Sequence, residues 1–211
     1  MLEALQNIRA AQAAALALVD QQILDLTPPP AAAPAGVAWG AKVSPLFLER
    51  VQWVVEDLDI GPAPGQPEPD WLMAWIAWES DRTFRADIKN MAGSGAVGLI
   101  QFMPKTAAGL GTTTAALAAM EPERQLNFVW KYFAPFKGRI RSLADGYMAI
   151  LWPPAVGKPL EHPLWDRETR PTTYRQNAGL DADKDGTITK AEAAAKVYAT
   201  LAEGQRRENR R

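Results

Sequence analysis

Glu79 is a lone carboxylate at the end of an apolar run. It closes "DWLMAWIAWE", in which Trp71, Leu72, Met73, Trp75, Ile76 and Trp78 leave almost no polar face. A helix apolar all round is a buried helix. Residues 71, 75 and 79 are spaced i, i+4, i+8, so Trp71, Trp75 and Glu79 share one stripe. Burial disfavours the charged carboxylate. The negative end of the helix dipole disfavours it further. Both effects raise its pKa and keep a proton on it near neutral pH, which a general acid requires. The bland alternative is a Glu that ends a helix in water or pairs with Arg82 or Arg85.

A second group of acids has the opposite character. "DADKDGTITKAE", residues 181–192, fits a 12-residue calcium loop at each diagnostic position. Asp181, Asp183 and Asp185 hold positions 1, 3 and 5, and Gly186 takes the sharp turn at position 6. Thr187 offers its backbone carbonyl at position 7. Thr189 acts through a water at position 9, and Glu192 is the bidentate ligand at position 12. Acids this close repel one another unless a cation sits among them. The expected cofactor is Ca2+ in a structural role, with no organic cofactor. The loop is single and the helix before it is short after Pro171, so a clamp is expected rather than a sensor. The bland alternative is a surface Asp-Gly turn.

A glycine-rich loop follows Glu79. Gly93, Gly95 and Gly98 permit tight turns and close backbone approach to a ligand. Gln101 lies among apolar neighbours in "GLIQFMP", where an amide can hold a substrate or orient the acid. No phosphate-binding "GxxxxGK[ST]" is present.

Together, "ES" at 79–80 and "GAVGLIQFMPKTA" at 95–107 resemble the soluble-type lytic transglycosylases, whose fold is similar to goose-type lysozyme. That family carries a Glu-Ser pair, then "G-x-x-G-L-M-Q-x-M-P-x-T-A", then Ala-Tyr-Asn. Ile100 replaces Met in the second motif, and the match covers about residues 65–110. The resemblance implies Glu79 as catalytic acid and then base. It implies Ser80 orienting substrate or acid, with Gln101 and the backbone around Gly98 lining the sugar site. No Ala-Tyr-Asn occurs. Tyr147, followed by Met148, and Asn177, in "YRQNAGL", are the two candidates for the third motif, and the sequence does not choose between them. "YMAILWPPAVGKP" with "YRQNAGLD" looks like the variant found in phage virion proteins and endolysins.

The implied reaction cleaves peptidoglycan glycan strands between N-acetylmuramic acid and N-acetylglucosamine, leaving 1,6-anhydro ends. A goose-type hydrolase needs a second carboxylate. Asp81 and Asp87 are the candidates, and both lie in a polar stretch. A third reading is a structural tail component with a sugar-binding domain.

The rest of the chain must position these residues. The fold class expected is mainly α, a lysozyme-like helical domain with one EF-hand-like loop. Residues 2–26 read as an Ala/Leu-rich helix, either packed on its own domain or used for docking or oligomerisation, with other phage tail proteins as possible partners. Residues 27–40, Pro/Ala-rich, read as a spacer. The catalytic domain spans 41–211. "SPLFLERVQWVVEDLDI" begins a helix with Ser44 as cap and Pro45 at the first position. Asp70 is expected to cap the Glu79 helix. Further helices are expected at 104–110, 122–134, 141–151 and 190–203. The "QRRENRR" tail reads as solvated.

Composition excludes much. The chain of 211 residues has no Cys and one His, His162, so thiolate sites, histidine metal clusters and a cysteine nucleophile are out. A net charge of −1 gives no pull toward nucleic acid. No apolar run approaches the roughly 20 residues of a membrane span. The start, with Glu3 before Arg9 and a short apolar segment, is no good signal peptide. The location expected is a phage tail, or host cytoplasm with delivery to the periplasm.

Overall fold

Proline opens helix after helix. Pro45, Pro69, Pro104, Pro122 and Pro171 each occupy the first turn, where the missing N–H breaks no bond and the fixed φ suits the helix. A computed structural model describes residues 36–90 and 93–211. The helix expected over 2–26, its docking role, and residues 27–35 of the spacer lie outside the described residues.

The architecture is mainly helical. In order it runs α1 (Pro45–Asp57), α2 (Pro69–Glu79), α3 (Pro104–Gly109), α4 (Thr114–Ala118), α5 (Pro122–Phe133), α6 (Leu143–Leu151), β1 (Pro163–Asp166), α7 (Pro171–Asn177), β2 (Thr187–Thr189) and α8 (Lys190–Gly204). Ser44 caps α1 as expected, its hydroxyl accepting from Phe47 N at 3.0 Å. Asp70 does not cap α2. Glu68 holds that position and Pro69 the first helical one, which places Asp70 inside the first turn. There its carboxylate accepts from Ala38 N at 2.7 Å.

Helix α2 is the central element. Leu72, Met73, Trp75 and Ile76 are fully buried, and α1, α6 and α8 pack around it. Burying side chains of this size stabilises by about 1.5–3 kcal/mol each. Trp75 donates its indole N–H to Leu143 O at 3.0 Å. Its ring lies over Gly146, where a Cβ would come within 1.9 Å of it. Glycine at 146 is therefore what lets α6 sit against α2.

The folded body starts earlier than expected. Val37, Ala38 and Trp39, assigned to the spacer by composition, are buried. The Trp39 indole donates to Thr200 O at 3.0 Å. The side chains of the C-terminal tail are mostly exposed, as expected, but its end is also docked. Gly36 and Val37 both donate to Arg211 O at 2.9 Å, and Arg210 lies 3.6 Å from Asp70. Among the described residues no helix is long and apolar enough to cross a membrane.

One small sheet forms. β1 pairs antiparallel with β2, Trp165 opposite Ile188. Ile188, at position 8 of the calcium-type loop, is fully buried. The single loop thus finds its strand partner in β1 rather than in a second loop of its kind.

Candidate active site and acidic loop

Helix α2 ends at Glu79, and the chain turns sharply. Asp81, Arg82 and Phe84 all have positive φ, at 48°, 63° and 54°. Three non-glycine residues in that region store strain, which is held where the surrounding packing over-determines it. Ser80 supplies part of that packing. It is fully buried, and its hydroxyl accepts from Phe84 N at 3.0 Å. Its carbonyl accepts from the Thr83 hydroxyl at 2.6 Å. Of its two expected roles, this geometry supports the one of orienting the acid. Ser80 fixes the turn that carries the acid.

Glu79 lines a cleft of about 660 Å³ with Trp78, Asp81, Thr83, Asp87 and Gln101 among its neighbours. Part of the side chain faces this cleft and is reached by solvent. Even so, the protein surrounds the carboxyl closely, and desolvation raises its pKa to about 7. Neither arginine suggested by the sequence relieves it. Arg82 binds Glu203 on α8 at 2.9 Å, and Arg85 grips Asp87 with two bonds of 2.8 and 2.7 Å. Among the described residues, Glu79 makes no hydrogen bond or ion pair.

Two phenols flank the acid. Tyr147, on α6, is raised to about 12 by burial and by the nearby Glu79 charge. Tyr132, on α5, is raised to about 12 for the same two reasons. Both stay neutral O–H groups. Tyr147 accepts the Trp78 indole N–H at 3.3 Å, and Tyr132 donates to Ala149 O at 2.9 Å. The Lys196 ammonium lies 5.7 Å from the centre of the Trp78 ring. The fold therefore separates the two candidates for the third motif. Tyr147 is beside Glu79. Asn177 lies on α7, where its amide donates to Thr173 O at 2.9 Å; neither it nor Tyr147 is among the described lining of the cleft.

The glycine loop leads into Gln101, which lines the same cleft. Gly98 has φ +84°, and a Cβ there would come within 2.3 Å of Gln125 Oε1. Gln125 is fully buried on α5. Its carbonyl accepts from Leu99 N at 2.7 Å, and its amide donates to Ala86 O at 3.0 Å and Leu117 O at 2.9 Å. One side chain thus ties the loop to the segment after Glu79. Gln101 has φ +54°. Its amide nitrogen donates to Gly98 O at 3.2 Å and Ile88 O at 3.3 Å. The amide oxygen is left as the group for a ligand in the cleft.

Gln125 and Tyr132 escaped the sequence reading. Gln125 lies mid-helix in "PERQLNF" and Tyr132 in "VWKYF", and neither pattern marks a role. An interior glutamine on the apolar face of an amphipathic helix was the available signal for the first.

Asp181, Asp183 and Asp185 come together, offering carboxylate oxygens within 4.8 Å of one another. Asp181 Oδ2 accepts from the Tyr174 hydroxyl at 2.5 Å and from Gly186 N at 3.1 Å. Asp181 Oδ1 is buried with no partner. An orphaned buried acceptor is the kind of group an ion or a water would satisfy, and here it belongs to the first residue of the loop. The donor set, all oxygen, suits a hard cation. Glu192 serves as part of a capping box with Thr189. Its oxygens also accept from Ala182 N at 3.0 Å. A carboxylate has about four lone-pair sites, so these bonds do not exhaust it.

The loop is also tied to the core. Lys190, almost fully buried, places its ammonium 2.6 Å from Asp145 on α6, with Ala155 O and Lys158 O at 3.2 and 2.8 Å. Burial alone would raise the Asp145 pKa. Hydrogen bonds from Lys190, Gly157 N–H and the Ser142 side chain outweigh it and hold the group below the ordinary value.

No family model matches the chain, and no curated protein matches it.

Proposed function

We propose that the chain is a peptidoglycan lytic transglycosylase of lysozyme-like fold, with Glu79 as its single acid and a structural Ca2+ in the loop 181–192. One observation carries the reading. Glu79 is an unpartnered carboxyl in a cleft, and desolvation brings its pKa to about 7. The other carboxylates of that cleft differ in kind. Asp81 has a side chain 85% exposed, and Asp87 is held below the ordinary carboxylate range by its hydrogen bond and charge contact with Arg85. One acid is poised to exchange a proton near neutral pH, and no second one shares its setting among the described cleft residues.

The chemistry follows from one such group. Protonated Glu79 gives its proton to the glycosidic oxygen as the bond from C1 of N-acetylmuramic acid breaks. The sugar's own N-acetyl group supports the positive charge at C1. Glu79, now a carboxylate, takes the proton of the C6 hydroxyl as O6 attacks C1. The 1,6-anhydro ring closes, no water is consumed, and Glu79 is protonated again. A pKa near working pH suits both steps. Gln101 lines the path of the sugar, the neutral Tyr147 stands near the acid, and the strained turn after Ser80 holds the acid in place.

Asp181, Asp183 and Asp185, the Thr187 carbonyl and Glu192 would hold the calcium. The ion would supply the charge that the clustered carboxylates lack and fasten α7 to α8. Delivery by a phage virion or as an endolysin remains part of this proposal.

The test is a mass spectrum of soluble products from digested peptidoglycan, beside Glu79→Gln. Muropeptides lighter by one water, absent with the variant, are expected. Products with a reducing end would instead assign a hydrolase and direct attention to Asp81 or Asp87.

A further inference from the structure

A second cleft, of about 590 Å³, adjoins the first. The two share Lys89 and Asn90 in their walls. The second runs between the loop at Gly95, Ala96 and Val97 and the short helix α4, at Thr114, Ala115 and Ala118.

Its lining differs from the first cleft's. The first contains Trp78, and sugar rings commonly stack on aromatic faces. The second has no aromatic residue among its described lining and is built of small, mostly apolar side chains. Such a surface suits a peptide with small side chains better than another sugar. The charge at the junction points the same way. Lys89 is exposed, and among the described residues its ammonium makes no hydrogen bond or ion pair. Asp87, whose carboxylate feels the Lys89 charge, already carries two bonds from Arg85.

We propose that the second cleft receives the acidic peptide stem borne by the muramic acid, and that Lys89 pairs with a carboxylate of that stem. The proposal rests on the glycan-cleaving reading of the first cleft. A branched substrate needs a branched site. The glycan lies along Glu79 and Gln101, the stem leaves it through the lactyl ether, and the shared wall at Lys89 and Asn90 is where it crosses. The enzyme then prefers stem-bearing strands over stripped ones.

The experiment compares two substrates, glycan strands with intact stems and the same strands freed of stems by an amidase. Lys89→Met lowers the preference for stem-bearing strands about fivefold at low salt, the scale of one exposed ion pair. Ala115→Trp fills the second cleft from an exposed position. It raises KM on stem-bearing strands several-fold and leaves stripped strands unaffected. Equal changes on both substrates, or no preference in the parent protein, would overturn the proposal. Cleavage of neither substrate would sink the glycan-cleaving reading. In that case binding of a stem-bearing muropeptide by the parent protein and by Lys89→Met, followed by tryptophan fluorescence, still decides whether the stem site exists. Equal affinity of the two proteins rules it out.

Discussion

Glu79 and Glu192 are the same residue type, both partly buried, at opposite ends of helices that pack against each other. Glu79 ends α2 and has no donor among the described residues, so desolvation raises its pKa to about 7. Glu192 starts α8. Burial would raise it too, but the backbone N–H and hydroxyl of Thr189, with backbone donors at Ala182 and Asp183, outweigh burial and lower its pKa. The N-terminal end of a helix supplies free N–H groups and positive potential, and the C-terminal end supplies neither. The fold thus makes a proton carrier at one end of a helix pair and a fixed anion at the other. What separates them is both depth, which is much greater for the Glu79 carboxyl, and the supply of donors.

Breaking the first region should have the largest effect. Glu79→Gln keeps the shape and removes the titrating group, so turnover should fall by about 10²–10⁴ or more. Circular dichroism should be unchanged. In the parent protein kcat/KM should fall above about pH 7, where Glu79 loses its proton. A variant with parent-like turnover would refute the single-acid mechanism.

Next comes the buried pair that joins the acidic loop to the core. Lys190→Met leaves Asp145 buried without its partner, which costs about 3–5 kcal/mol in urea unfolding. Adding Asp145→Leu should restore a large part of that loss. If the double variant is no better than the single one, the cost lies in packing rather than in the stranded charge.

Calcium tests the other side of the comparison. At a hundred times its Kd, calcium should stabilise the protein by about 2.7 kcal/mol. Chelation should lower Tm by several degrees, and Asp181→Asn should abolish the calcium-dependent part. A parent protein whose Tm ignores both calcium and chelator has no such site.

The last test concerns Glu79 and stability. Its folded pKa, about 7, lies above the ordinary value of 4.5. The protonated form is therefore the one the fold prefers. Its contribution is complete below about pH 4.5 and is lost as pH rises through about 7. Unfolding free energy measured across that window should decline more steeply in the parent than in Glu79→Gln. Parallel curves would mean that Glu79 is not desolvated.

Much of this was legible in contiguous residues. The apolar run before Glu79, the prolines that open helices and the spacing of Asp181, Asp183, Asp185 and Glu192 are local patterns. Backbone conformation answers to local patterns directly. The errors were local too. Asp70 looked like a cap, but Pro69 claims the first helical position, and the carboxylate is used by Ala38 from a distant segment. Residues 37–39 looked like spacer because Pro and Ala surround them, yet the Trp39 side chain is a core residue.

The sequence by itself determined where most of the helices start, that the glycine loop could turn tightly, and which acids could gather round a cation. These depend on neighbours within a few residues. Only the tertiary structure decided which carboxylate is left without a donor, that Tyr147 rather than Asn177 stands beside it, and that Gln125 holds the glycine loop. It also decided that Lys190 reaches Asp145 across 45 residues of chain. Desolvation and donor supply are set by groups far apart in sequence, and they exist only once the helices have packed.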